Sequence, residues 1–295
     1  MCVSPWRSRT VTGCIAALAL HLMLFSLCES ATIQGVQSGI LEIASNGAFS
    51  VPINAIDPTK SFLIFQIRHN SDRPGGSLVG GRISSPTLLE FVRTTEELSP
   101  GSIAVQWYVA TFSSGVSVQR GELQQSSKTV NTSLTKLISL SQSFVLWSKV
   151  SPPKDVFWDD NDPVFGELVS TNNLRFRSNA GGINNVIWWQ VVEFTNPADI
   201  SVQRARYSFG STQTMYQAPL AEPVNLASTF ALLGYRVSGT IPGIGARIFR
   251  GYLPNATSLL VDRAQAGERG EDAEVCWQIV HLKDSTRVQS GTVHF

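Results

Sequence analysis

Along this chain large apolar residues recur at every second position in short runs. Val105, Trp107 and Val109 form one such run, Ile187, Trp189 and Val191 a second, and Val275, Trp277 and Ile279 a third. A period of two, carried by β-branched and aromatic residues, predicts strands with one buried face. The same reading of the first third of the chain predicts six strands, near Val36–Ala44, Phe49–Asn54, Phe62–Arg68, Gly81–Ser84, Leu88–Arg93 and Ile103–Phe112. Residues 86–98 also fit a helix when taken alone. Their counterparts NNLRFRSNAGG and SLLVDRAQAG lack a helical period, so a strand is expected there as well.

Short turn segments follow each Trp run: Ser113-Ser114-Gly115, Asn196–Asp199 and Lys283–Ser285. Each leads into a Val-Gln run, which predicts a hairpin between the Trp strand and the Val-Gln strand after it. Asn46-Gly47, between two apolar runs, predicts a second hairpin with a type I′ turn.

The pattern repeats. Val36-Gln37, Val118-Gln119, Val202-Gln203 and Val288-Gln289 are spaced 82, 84 and 86 residues apart. Phe62, Phe144 and Phe230, then Arg93, Arg177 and Arg263, then Trp107, Trp189 and Trp277 keep the same order and nearly the same period. Self-similarity at one period is the mark of tandem units. The expected fold is all-β: three antiparallel β-sandwich repeats of about 84 residues, immunoglobulin-like or jelly-roll-like. Their expected bounds are 31–116, 117–200 and 201–295, the last with a closing Val-Gln strand. That strand occurs four times and the other landmarks three. Either it is shared by adjacent units within the chain, or it pairs with another molecule by strand addition.

Residues 1–30 read differently. Arg7 and Arg9 precede an apolar run from Cys14 to Leu27, 14 residues long and too short to span a bilayer, which takes about 20. Small residues Cys28 and Ser30 stand at −3 and −1 of a cut before Ala31, the pattern of a secretory signal peptide. The expected location is therefore secreted or extracellular, at a cell surface, or periplasmic in a bacterium. Losing Arg7, Arg9 and Glu29 leaves 21 basic and 21 acidic residues. Such neutrality argues against nucleic acid as a partner, and no basic amphipathic segment points to stable membrane insertion. Only Cys276 remains, so no internal disulfide is expected and the units rest on their cores.

Candidate chemistry is sparse. Flanking Val and Ile put the repeated Trp on the core face, whereas Trp188 and Tyr108 face the other way, as a surface platform or as contacts between units. Arg93, Arg177 and Arg263 end a strand in each unit and are expected in ion pairs or hydrogen bonds to loop carbonyls. Asp159, Asp160 and Asp162, in WDDNDP, concentrate oxygens of the kind that bind Ca²⁺, so Ca²⁺ is the one candidate cofactor. The segment lacks the glycine and terminal glutamate of an EF-hand loop. No HExxH, GxSxG or Walker motif occurs.

The function expected from this pattern is a secreted, non-catalytic structural or adhesive protein of a cell surface, appendage or particle. Its partners would be other proteins, or copies of itself through edge strands. A lectin-like carbohydrate-binding protein, with ligand loops at 68–76 or 156–165, is the alternative. An extracellular hydrolase with a site between units ranks behind both.

Overall fold

The computed structural model describes residues 29–69, 74–94, 102–152, 158, 160–180, 185–238, 244–267, 272–284 and 286–289. The expected leader lies outside them except for Glu29 and Ser30. The fold is all-β, with six antiparallel sheets of three strands each.

The first strand set is β1 (Thr32–Ile43), β2 (Gly47–Pro52), β3 (Ser61–His69), β4 (Gly80–Ser85), β5 (Leu88–Arg93) and β6 (Ile103–Ser114). It forms one sheet in the order β1-β6-β3 and another in the order β2-β5-β4. The second set is β7 (Val116–Gln124), β8 (Thr129–Ser133), β9 (Ser143–Val150), β10 (Phe165–Ser170), β11 (Asn173–Arg177) and β12 (Val186–Phe194). Its sheets are β7-β12-β9 and β8-β11-β10. The third set is β13 (Ile200–Phe209), β14 (Met215–Pro219), β15 (Thr229–Val237), β16 (Phe249–Asn255), β17 (Ser258–Arg263) and β18 (Ala273–Leu282), in sheets β13-β18-β15 and β14-β17-β16.

In each set the two sheets enclose one core. Leu63, Val105, Trp107 and Val109 from one sheet meet Ile83, Leu89 and Phe91 from the other. Trp189 and Trp277 occupy the corresponding cores of the second and third sets. The Trp ring fits because its cross-strand neighbour is small. A Cβ on Gly39 would lie 2.6 Å from Trp107 Cζ2, and one on Gly121 would lie 2.5 Å from Trp189 Cζ2.

The strands near those expected are present in the first set, but among the described residues both kinds of expected hairpin are absent. The Trp strand β6 is the centre of its sheet, flanked by β1 and β3, so neither edge is free for β7. β7 pairs instead with β12, the Trp strand that follows it in sequence. Gly115, at φ +73°, turns the chain from one set into the next. Asn46-Gly47 likewise carries the chain across the core, from β1 to β2 in the opposite sheet. β7 joins one sheet only, and β13 likewise pairs only with β18, so neither serves two neighbouring sets.

Candidate binding surface

A carboxamide carries an acceptor and an N–H donor side by side, the same pair that an edge strand leaves open at every second residue. Glutamines use this match twice in the fold. The Gln of each of the first three Val-Gln runs holds down a backbone segment 17 or 19 residues later. Gln37 accepts from Asn54 N at 2.7 Å and donates to Asn54 O at 3.0 Å. Gln119 does the same at Lys136, and Gln203 at Glu222.

A second pair of glutamines joins the sets. Gln190, on β12, accepts from Leu63 N and donates to Leu63 O, both at 3.0 Å, so it grips the edge strand β3 of the first set. Gln278, on β18, grips Val145 of β9 in the same way, at 2.9 and 3.0 Å. Beside them Arg120 donates to Ser61 O at 2.6 Å and Arg204 to Ser143 O at 2.5 Å. Each junction thus seats the β3-type edge of one set on the outer face of the next set's first sheet. Edge-to-face contacts between Phe62 and Phe144 (5.9 Å) and between Phe144 and Phe230 (6.0 Å) run through both junctions. The core around this row draws on all three sets.

The charged contacts at the two junctions are mirror images in sign. At the first, Arg82 pairs with Glu90 of its own set (2.7 Å) and Glu122 of the next (2.9 Å). At the register-equivalent positions of the second, Glu167 pairs with Arg175 (2.7 Å) and Arg206 (3.3 Å). Glu274 adds a further cluster there, accepting from Arg236 (2.7 Å), Arg177 (2.9 Å) and Arg206 (3.1 Å). Burial pushes the Glu274 carboxyl up. The Arg236 hydrogen bond and the charges of Arg177, Arg236 and Arg206 outweigh it and hold the group below the usual range.

Both ends of the row differ from the junctions. On the outer face of the β1-β6-β3 sheet, the equivalents of the gripping Arg, the gripping Gln and the charged Glu122 or Arg206 are Ser38, Tyr108 and Ile40. Ile40 is 67% exposed and Val36 58%. At the other end β15 presents Thr229 and Ala231 where Ser61 and Leu63 stand in the first set, and β16 presents Tyr252 where Arg82 stands. A cleft of about 730 Å³ opens alongside the junctions, with Phe65, Ile83, Trp147, Trp158 and Leu233 among its lining.

The residues singled out in the sequence fall as follows. Asp159 lies outside the described residues. The Asp162 carboxylate is buried and pairs with the Lys149 ammonium at 3.0 Å, and the same ammonium donates to Asn161 O (2.9 Å) and Asn161 Oδ1 (3.0 Å). Lys149 faces inward where the first set has Ile67, so the acidic turn supplies an internal counter-charge. The Asp160 carbonyl accepts from Asn179 N and Ala180 N. Among the described residues no group of three or more His, Cys, Asp or Glu is placed to hold a metal. Arg93 donates to Gly76 O, and Arg263 to Gly210, Ser211, Gln213 and Ala246 carbonyls. Arg177 departs from that pattern: Ser178 holds the equivalent inward position, so Arg177 points the other way, to Glu274. Trp188 is not a surface platform. It is buried at the first junction, where Arg82 lies 4.3 Å over its ring.

The junction glutamines escaped the sequence reading. Their signal is the residue after each repeated Trp: Gln190 and Gln278, with Tyr108 in the first copy. No protein-family model and no curated protein sequence matches this chain.

Proposed function

We propose that this chain is a secreted, non-catalytic structural or adhesive protein, built from three tandem β-sandwich repeats that correspond to the three strand sets. The observation that supports it is the recurrence of one edge-to-face junction held by a glutamine, an arginine and a phenylalanine row. Such junctions fix each unit rigidly on the next and leave many loops free for contact, which suits a scaffold or an adhesin. Small-angle scattering of the chain from Ala31 tests this. One rigid, elongated particle is expected, and replacing Gln190 and Gln278 together by alanine is expected to enlarge and loosen it. Independently tumbling units in the unsubstituted protein would sink the reading.

The cleft favours a second reading, carbohydrate binding, because its tryptophans offer apolar faces to sugar rings. A glycan array, repeated with Trp147→Ala, decides it. Binding that survives the substitution, or no binding at all, removes the cleft from consideration.

A further inference from the structure

We infer that the β15/β16 edge of the third set, where Tyr252 is exposed, receives the β1-β6-β3 face of a second copy, and that the tail at Thr286–Gln289 competes for the same place. This rests on the structural reading above and extends it to assembly. At the internal junctions the incoming Val-Gln strand runs beside a short 3-10 turn of the preceding set: β7 beside Pro58–Lys60, and β13 beside Leu140–Gln142. At the third set the equivalent turn, Leu226–Ser228, already has a neighbour, since Val288 N donates to Ala227 O at 2.7 Å. The tail therefore lies where the first strand of a next unit would lie.

Its sequence says which unit. The tail carries Val-Gln-Ser-Gly from Val288 on, the same four residues as Val36–Gly39 of β1, whereas β7 has Val-Gln-Arg-Gly and β13 has Val-Gln-Arg-Ala. The tail sequence thus matches β1, with serine in the sequence position where β7 and β13 have arginine. The third contact position agrees. Where the internal junctions oppose charges, a second copy would set Ile40 against Tyr252, 67% and 47% exposed in the single chain. Docking of this kind is head-to-tail, so it adds molecules in a row rather than pairing them by a two-fold axis.

Sedimentation velocity on the chain from Ala31 tests this, with a variant ending at Asp284. Association should rise with concentration, and removal of the tail should strengthen it about tenfold. Ile40→Arg or Tyr252→Glu alone should abolish it. A mixture of those two variants should restore association, as chains in which the two variants alternate. In those chains unsubstituted contacts alternate with contacts where one copy's substituted edge meets the other's substituted face, as Glu167 meets Arg206. A mixture that associates no more than either variant alone overturns the proposal. So does a tail-less chain that stays monomeric to ~1 mM, the weak limit of specific association. Neither result would alter the scattering test of stiffness.

A separate observation carries a second inference, which rests on the expected export. Ala31 N donates to Asp199 Oδ2 at 2.6 Å. Asp199 is 5% exposed, and no Lys or Arg among the described residues pairs with it. A buried carboxylate calls for a cation. The geometry points to the α-ammonium released by processing as that cation. Hydrolysis by a signal-type endopeptidase adds water across the Ser30–Ala31 bond. Ser30 keeps the carboxylate and Ala31 gains the ammonium, 2.6 Å from its partner. The cut gives up exposed hydrogen bonds at Ser30, such as Ser114 Oγ to Ser30 O, which water replaces.

An α-amino group has an unfolded pKa of about 7.7–8.0. A carboxylate partner raises it in the fold, so the pair stabilises fully below that value and less as pH rises through the folded pKa. Thermal unfolding of the chain from Ala31 should lose stability across that window. Asp199→Asn and the Nα-acetylated chain should not. An identical alkaline profile in all three overturns the pair. Mass spectrometry of exported protein should find Ala31 first, and another first residue overturns the pair while leaving export intact.

Discussion

Gln278 shows how much one side chain can decide. It sits on the central strand β18 and reaches across a junction to Val145, itself fully buried. Gln278→Leu would leave a buried N–H and C=O unpaired, at a cost of about 1–3 kcal/mol. Urea unfolding should show that loss, and Gln278→Glu should be worse, because a carboxylate offers no N–H to Val145 O. Lys149 and Asp162 present the opposite case. Removing one partner, as in Lys149→Met, strands a buried charge and should destabilise by about 3–5 kcal/mol. The double variant Lys149→Met with Asp162→Asn should recover most of that in the same assay. Cys276 is inert for a related reason. Burial pushes its thiol up to about 12, so it should resist alkylation at pH 8 until the chain is unfolded. The repeated Trp and Phe residues were legible at this scale because alternation fixes their face. Arg177 was not, since one residue of drift in β11 reverses a side chain without altering the composition around it.

At the scale of strands, the sequence carried the positions well and the pairing poorly. In the first set Leu88–Arg93 has its expected bounds and β6 its expected start, and β3 and β4 start one residue early, whereas β1 starts at Thr32 rather than Val36 and β2 at Gly47 rather than Phe49. A hairpin signal reports only that two strands are close in sequence. It cannot report that β6 is already flanked on both sides. The second junction also bears a pH signature. With the Glu274 pKa depressed in the fold, its pairing stabilises above the unfolded value of about 4.3 and is lost as pH falls through the folded pKa. Thermal unfolding should therefore weaken on acidification below about pH 4, and Glu274→Gln should flatten that slope. Charge inversion gives a sharper test of the first junction. Glu122→Arg sets two like charges together at Arg82 and should lower stability. Adding Arg82→Glu and Glu90→Arg recreates the arrangement of the second junction and should restore it, read by the unfolding midpoint.

Over the whole molecule, three alike strand sets in one chain face a hazard that a single set does not. While the chain is being made, any finished edge can meet any finished face, and neighbours of similar sequence are prone to misassemble. The two junctions use the same glutamine and arginine grips, so those grips cannot tell one neighbour from another. The inverted charges can. If the first set skipped the second and settled on the third, Arg82 would meet Arg206. Like charges a few ångströms apart at so exposed a contact repel by about 1 kcal/mol after solvent screening. The sign reversal between Arg82–Glu122 and Glu167–Arg206 therefore favours the native order of the strand sets over that skipped order.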